Sequence, residues 1–221
     1  MELDEQIVSR RATLPLGRVP MSEYEVSAVL EAVDTIADLK LRARALATVL
    51  LARGAGTTSL DLRYVTGRDI VDIPDAGLWV TIGRPRSERI VPVLLAYASQ
   101  LRRLARNVGG RSLVGQRRGA VPCARADVIQ VMDAVQFHAD RLVPGIVVSV
   151  ERLRRTWLLG RMRDPVSVHD FLRMTGDPSW ATIRELVPFC QTSDIAPALT
   201  ARCTGAVSDE ALYDLAAWGL F

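Results

Sequence analysis

Lysine is nearly missing from this 221-residue chain: of its 28 basic residues only Lys40 is not an arginine. A GC-rich coding sequence or a use for bidentate anion contacts would each produce that bias, and composition does not separate the two. Cysteine and histidine are scarce as well. Cys123, Cys190 and Cys203 show no C-x-x-C spacing, and His138 and His169 have no cysteine or acidic partner at metal-ligand spacing. That argues against a zinc centre or other metal site, and no cofactor is expected. No uncharged run approaches the roughly 18 residues of a membrane span. Met1 to Ser9 is acidic and lacks the apolar segment of a signal peptide. The expectation is a cytoplasmic protein with no membrane association and with reduced thiols.

What is present in quantity is apolar surface and unevenly spread charge. With 49% hydrophobic residues, a chain of this length can bury roughly 70% of its unfolded surface in one domain. The formal net charge is only +3, yet Arg84 to Arg163 holds 16 arginines against 5 acidic residues, a local balance of +11 that leaves about −8 for the rest. A basic middle between acidic ends is the footprint expected of a surface that meets a polyanion.

The periodicity is mostly helical. Ser22-Glu23-Tyr24-Glu25 has the form of a capping box opening a helix with Val26, Val29, Leu30 and Val33 on one face. Leu39 to Arg53 predicts a second helix with Leu41, Ala45, Leu46, Val49 and Leu50 on one stripe. Trp79 to Ile82 and Arg89 to Val93, joined through Gly83 and Pro85, predict a β-hairpin. Helices are then expected over Leu94 to Arg106, Arg125 to Phe137, from Ser149, and over Pro165 to Met174, with a short one around Leu186. The Ser149 helix opens S-V-E-R-L-R-R-T, placing Arg152, Arg154 and Arg155 in its first turns around the apolar anchor Leu153. Such a cluster is either a phosphate cradle at a helix N-terminus or a solvated arginine-rich face.

Glu151 to Thr156 resembles the H-x-L-R-H-T signature of the tyrosine recombinases, the phage integrase family. Four further segments fit the same family in order. Leu50 to Leu62 resembles L-L-x-x-T-G-x-R-x-x-E-L, followed by Val65 to Ile70 for L-x-W-x-D-I. The hairpin resembles v-x-G-K-G-x-K-x-R-x-V-P-L. Thr175 to Ser179 resembles L-G-H-x-S, and Ala181 to Leu186 resembles s-T-T-x-x-Y. The resemblance implies a mainly α-helical (α+β) fold with a small antiparallel sheet, like a tyrosine-recombinase catalytic domain, over residues 21–190. Residues 1–20 are expected to form a leader arm and 191–221 a tail with an apolar docking helix.

The family's functional positions fall on Thr58, Arg84, Glu151, Arg154, Asp177 and Leu186. Only Arg154 keeps the family's residue. Thr58 supplies one neutral hydroxyl where the family has a guanidinium, and it can equally cap the next helix. Arg53, Arg63 and Arg68 lie close enough in sequence to substitute in space. Arg84 replaces a lysine general acid with a group whose pKa is too high for proton donation. Glu151 places a carboxylate where an imidazole would meet the phosphate, and Asp177 also replaces a histidine. Leu186 replaces the tyrosine nucleophile and cannot attack phosphorus. The expectation is a pseudoenzyme: a DNA-binding regulator or accessory factor that contacts double-stranded DNA through Arg84, Arg86, Arg89, Arg152, Arg154 and Arg155. Two alternatives stay open. One is a residual recombinase borrowing a nucleophile such as Tyr213, and the other is a protein-interaction domain that has lost DNA. The tail helix from Ser208, with Leu212, Leu215 and Trp218, would join a second copy, an active recombinase, or its own domain. The family also has an N-terminal clamping domain, which about 20 leader residues would not supply, so reduced affinity is expected.

Overall fold

The computed structural model describes residues 14–84, 88–115, 122–164, 166–176 and 178–190. The described residues form seven α-helices and one small sheet. In chain order they are α1 (Glu23–Asp34), α2 (Leu39–Ala55), β1 (Ile70–Ile73), β2 (Gly77–Ile82), β3 (Arg89–Pro92), α3 (Leu95–Val108), α4 (Arg125–Leu142), α5 (Val150–Met162), α6 (Val168–Thr175) and α7 (Trp180–Leu186). The strands pair in the order β1-β2-β3, antiparallel throughout, with Val80 opposite Ile70 on one side and Val91 on the other. No helix among the described residues is long and apolar enough to cross a membrane.

Local chemistry sets the helix starts. The Ser22 hydroxyl accepts from the Glu25 amide at 3.2 Å while the Glu25 carboxylate accepts from the Ser22 amide at 2.8 Å, which completes the box that opens α1. Asp38 caps α2 through the amides of Lys40 and Leu41, and Ser149, Ser167 and Ser179 cap α5, α6 and α7.

The centre of the fold is α2. Residues 47–52 are buried without a break, so this helix faces protein on all sides and not along a single stripe. It packs on α5, α3, α4 and α1. Its contact with α5 is close because Gly56, the left-handed residue that ends α2 (φ 64°), lies under the Trp157 ring, where a Cβ would come within 2.1 Å of a ring carbon. Trp157 is 1% exposed and Leu153 fully buried.

Several boundaries differ from the sequence expectation. The strand β1 was not expected. Its turn, Pro74-Asp75-Ala76-Gly77, places Asp75 at φ 61° and Gly77 at φ 83°, and aspartate and glycine tolerate that region best. The helix α4 runs five residues past Phe137, and His138 Nδ1 lies 2.7 Å from the Thr35 hydroxyl. Ser167, not Pro165, sets the start of α6. The end of the expected leader packs on α5: the Met21 amide donates to the Thr156 hydroxyl at 2.8 Å, and the Val19 carbonyl accepts from Arg152. The tail helix with Leu212, Tyr213, Leu215 and Trp218 lies outside the described residues, as do Arg86, Asp177 and residues 116–121 of the basic loop.

Candidate functional site

Arg154 projects from the second turn of α5 into the place where two helices end. Its Nε donates to the carbonyl of Gly56, the C-cap of α2, at 3.0 Å, and its Nη2 donates to the carbonyl of Thr175, the last residue of α6, at 2.8 Å. Helix C-termini carry orphan carbonyls and the negative end of the dipole, so a guanidinium is a natural partner there. The side chain is 7% exposed. Burial pushes its guanidinium below the usual arginine range; Glu151 opposes this, Arg89 adds to it, and Asp61 opposes it.

Those three neighbours define the site. Arg89, at the start of β3, reaches the same end of α6: its Nε donates to the Met174 carbonyl at 3.2 Å and its Nη2 to Asp61 Oδ2 at 2.9 Å. Asp61 Oδ2 also accepts the Thr58 amide at 2.9 Å, and the Thr58 hydroxyl accepts the Asp61 amide at 3.1 Å. Thr58 is thus held in reciprocal bonds with Asp61, the first residue of the 3-10 turn Asp61–Arg63, whose N-cap is Leu60. Two guanidinium groups reach this stretch: Arg89 of the hairpin meets Asp61, and Arg154 meets the Gly56 carbonyl. Arg53 is taken by Glu23 at 3.1 Å and lies over the Tyr97 ring, Arg63 donates to the Cys123 carbonyl, and Arg68 lies against Gly110. The helpful signal in the sequence was the acid at Asp61, whose partner could have been sought on any basic strand opposite.

The expected cradle at the start of α5 needs correcting for Arg152 and Arg155, which are neither in a phosphate cradle nor on a solvated face. Arg152 is 2% exposed, and its guanidinium donates to the carbonyls of Val19 and Val147 and to Glu25 Oε1, at 2.8, 2.8 and 2.7 Å. Arg155 is 3% exposed and donates to Glu185 Oε2 at 2.8 Å, while Glu185 also pairs with Arg18. Both side chains are turned into the protein, fastening α5 to α1 and to α7, with the Arg155 Nε buried and without a hydrogen-bond partner among the described residues. Glu151 is exposed at the helix start. Leu186 is fully buried at the end of α7. Arg84 is exposed where the hairpin leaves β2. The structure thus brings Thr58, Asp61, Arg89, Arg154 and Glu151 into one neighbourhood and takes Arg152, Arg155 and Leu186 into the interior.

The basic band is also less bare than its sequence suggests. Arg89, Arg102, Arg152, Arg155 and Arg161 pair with Asp61, Asp72, Glu25, Glu185 and Asp164, all five of them acids from outside residues 84–163. In the other direction, Asp127 of the band lies 3.7 Å from Arg44. A groove of about 400 Å³ between β1, β2 and α3, lined in part by Leu78, Arg102 and Arg106, shares no residue with the arginine site. Among the described residues no group of three or more His, Cys, Asp or Glu is placed to hold a metal ion.

A mainly helical domain with a small three-stranded antiparallel sheet is the fold of a tyrosine-recombinase catalytic domain. Solved structures support that assignment. A XerA recombinase aligns over 86% of this chain and 66% of its own, with a TM-score of 0.57 at 18% identity. The XerH site-specific recombinase bound to its palindromic difH substrate aligns over 81% of this chain and 52% of its own, with a TM-score of 0.59 at 16% identity. The Tn1549 transposon integrase, in complex with circular intermediate DNA, covers 86% and 68%, with a TM-score of 0.57 at 14% identity. The chain thus spans about two thirds of the XerA chain and about half of the XerH chain. No protein-family model and no curated protein sequence matches it.

Proposed function

We propose that this domain binds the phosphate backbone of double-stranded DNA without cutting it, as a regulator or accessory of a recombination system. The observation that carries the loss of cleavage is Leu186. It stands at the position of the nucleophile, has no group able to attack phosphorus, and lies fully buried in α7. Thr58, held in reciprocal hydrogen bonds with Asp61, and Glu151, a carboxylate at the rim, fit the same reading. DNA as the partner is supported by the fold, by the XerH and Tn1549 integrase structures that contain DNA, and by the exposed Arg84 on the hairpin. Arg152 and Arg155 drop out of the proposed contact set, which becomes the hairpin arginines Arg84 and Arg86 together with the Arg89–Arg154 centre.

With roughly three phosphates engaged, log affinity should fall against log salt with a slope near −3, and Arg84→Ala should flatten that slope by about one. A nicked suicide substrate should yield no covalent complex. An adduct that disappears with Tyr213→Phe would replace this reading with the borrowed-nucleophile one. The inward-turned arginines favour a second reading, a protein-interaction domain without DNA. Failure of the wild type to bind duplex DNA at low salt would select it.

A further inference from the structure

The helix α3 carries Arg102, Arg103 and Arg106 and no acid. Arg102 is matched, its Nη2 donating to Asp72 Oδ1 at 2.7 Å. Arg103 and Arg106 are exposed, as is Arg68, which lies beside Gly110 just past the end of α3. None of the ion pairs formed by the described residues includes these three arginines. Next to them, between α3 and the sheet, lies the groove of about 400 Å³. Its lining includes the buried apolar residues Leu78 and Ala105, the arginines Arg102 and Arg106, and Val71 of β1, which is 49% exposed. The strand β1 is an edge. Among the described residues it pairs with β2 alone, and no backbone hydrogen bond from outside the sheet reaches Ile70, Val71 or Asp72.

We propose that the groove between α3 and β1 is a docking site for an acidic, extended segment of a partner protein, whose apolar side chain fills the groove over Leu78 and Ala105 while its carboxylates meet Arg103, Arg106 and Arg68. The chemistry of the occupant follows from complementarity. A buried apolar floor takes an aliphatic side chain, and exposed arginines without counter-ions take carboxylates. The free edge of β1 takes the amides and carbonyls of another extended backbone, a contact that a sugar-phosphate chain does not supply. The site shares no residue with the Arg89–Arg154 centre or with Arg84 and Arg86. Partner and DNA are therefore held by separate residues, and this inference does not rest on the DNA reading.

The probe is a short fluorescein-labelled peptide alternating aspartate with valine, with a control peptide in which lysine replaces aspartate. In fluorescence anisotropy the full chain should bind the aspartate peptide saturably and should not bind the lysine one. The double substitution Arg103→Glu, Arg106→Glu should weaken binding about tenfold, the worth of two exposed charge pairs turned from attraction to repulsion. Arg125→Glu, a reversal at the exposed start of α4, should change it less than about threefold, as expected for a distant, screened charge. Equal binding of the two peptides, binding unchanged by R103E/R106E, or an equal loss in R125E overturns the inference.

Duplex DNA titrated against the same proteins separates the two kinds of ligand. R103E/R106E should hold duplex DNA within about threefold of wild type. If its DNA affinity falls as far as its peptide affinity, the arginines of α3 belong to a nucleic-acid surface and the inference fails. If wild type binds the aspartate peptide but no duplex DNA, the DNA reading fails and the docking site stands. Wild-type protein gives a further check that needs no folded variant: in amide NMR spectra the aspartate peptide should move the signals of Val71, Asp72 and Arg106. Shifts confined to other surfaces would place the peptide elsewhere and overturn the inference.

Discussion

Arg152 separates a framework role from a phosphate role more sharply than any other residue of this chain. The substitution Arg152→Met keeps the aliphatic stem and removes the guanidinium, leaving the carbonyls of Val19 and Val147 and the carboxylate of Glu25 without the donors they now have at 2.7 to 2.8 Å. Breaking a buried, hydrogen-bonded ion pair by removing one partner costs about 3 to 5 kcal/mol. The lower end applies, because Glu25 retains 22% side-chain exposure and keeps its bonds to the Ser22 amide and hydroxyl. At about 2 to 4 °C per kcal/mol for a domain of this size, the melting temperature should fall by roughly 6 to 12 °C. At a temperature where both proteins are folded, DNA affinity and its salt slope should match wild type. The reasoning is refuted if urea denaturation places the substitution within about 1 kcal/mol of wild type, the range of an exposed pair, while DNA binding weakens.

The same pair gives a pH signature. Burial acts to raise the Glu25 carboxyl, but the Ser22 amide, the Arg152 guanidinium and the Ser22 hydroxyl outweigh it and hold the group below its ordinary value. Its contribution is therefore present above the ordinary carboxylate range and is lost as pH falls through the lower folded-state value, so Glu25→Gln should flatten the acid side of a stability-against-pH curve. Gly56→Ala should destabilise by more than about 3 kcal/mol in denaturant titration, because the left-handed backbone and the Trp157 ring at 2.1 Å oppose the new methyl together. Leu186→Tyr should give no covalent adduct on a nicked substrate and should lose about 1 to 3 kcal/mol of stability from overpacking a fully buried position. An adduct would show that the rest of the centre is competent.

The mainly α fold with a small antiparallel sheet was legible in the sequence because its signals are local. Ser22 and Glu25 specify their capping box within four residues, and Ser149 caps α5 where expected. The hairpin β2–β3 follows from alternation around Gly83. The strand β1 was missed although its turn residues were visible, since Ile70-Val71-Asp72-Ile73 is too short to alternate convincingly and is mostly exposed. The partners of the candidate site residues were not legible, because which acid an arginine meets there depends on contacts 28 to 127 residues apart, such as Arg89 with Asp61 and Arg152 with Glu25. No window along the chain contains both partners.

The charge pattern shows the same limit from the electrostatic side. A local balance of +11 over residues 84–163 would mark a polyanion surface if the band and the acidic flanks stayed apart in space. They do not: Glu25, Asp61 and Asp72 come from before the band, Asp164 and Glu185 from after it, and each is within 3 Å of a band arginine. Five of the eleven excess charges thus have internal counter-ions, and three of those arginines, Arg89, Arg152 and Arg155, are among the six first expected to touch DNA. Field strength at the surface depends on how far each charge is exposed after folding, and not on the running sum along the chain. For this fold that shifts the attraction for a backbone from the α5 start to the hairpin, where Arg84 is exposed. Removing Arg84 should therefore matter more for DNA than removing Arg152.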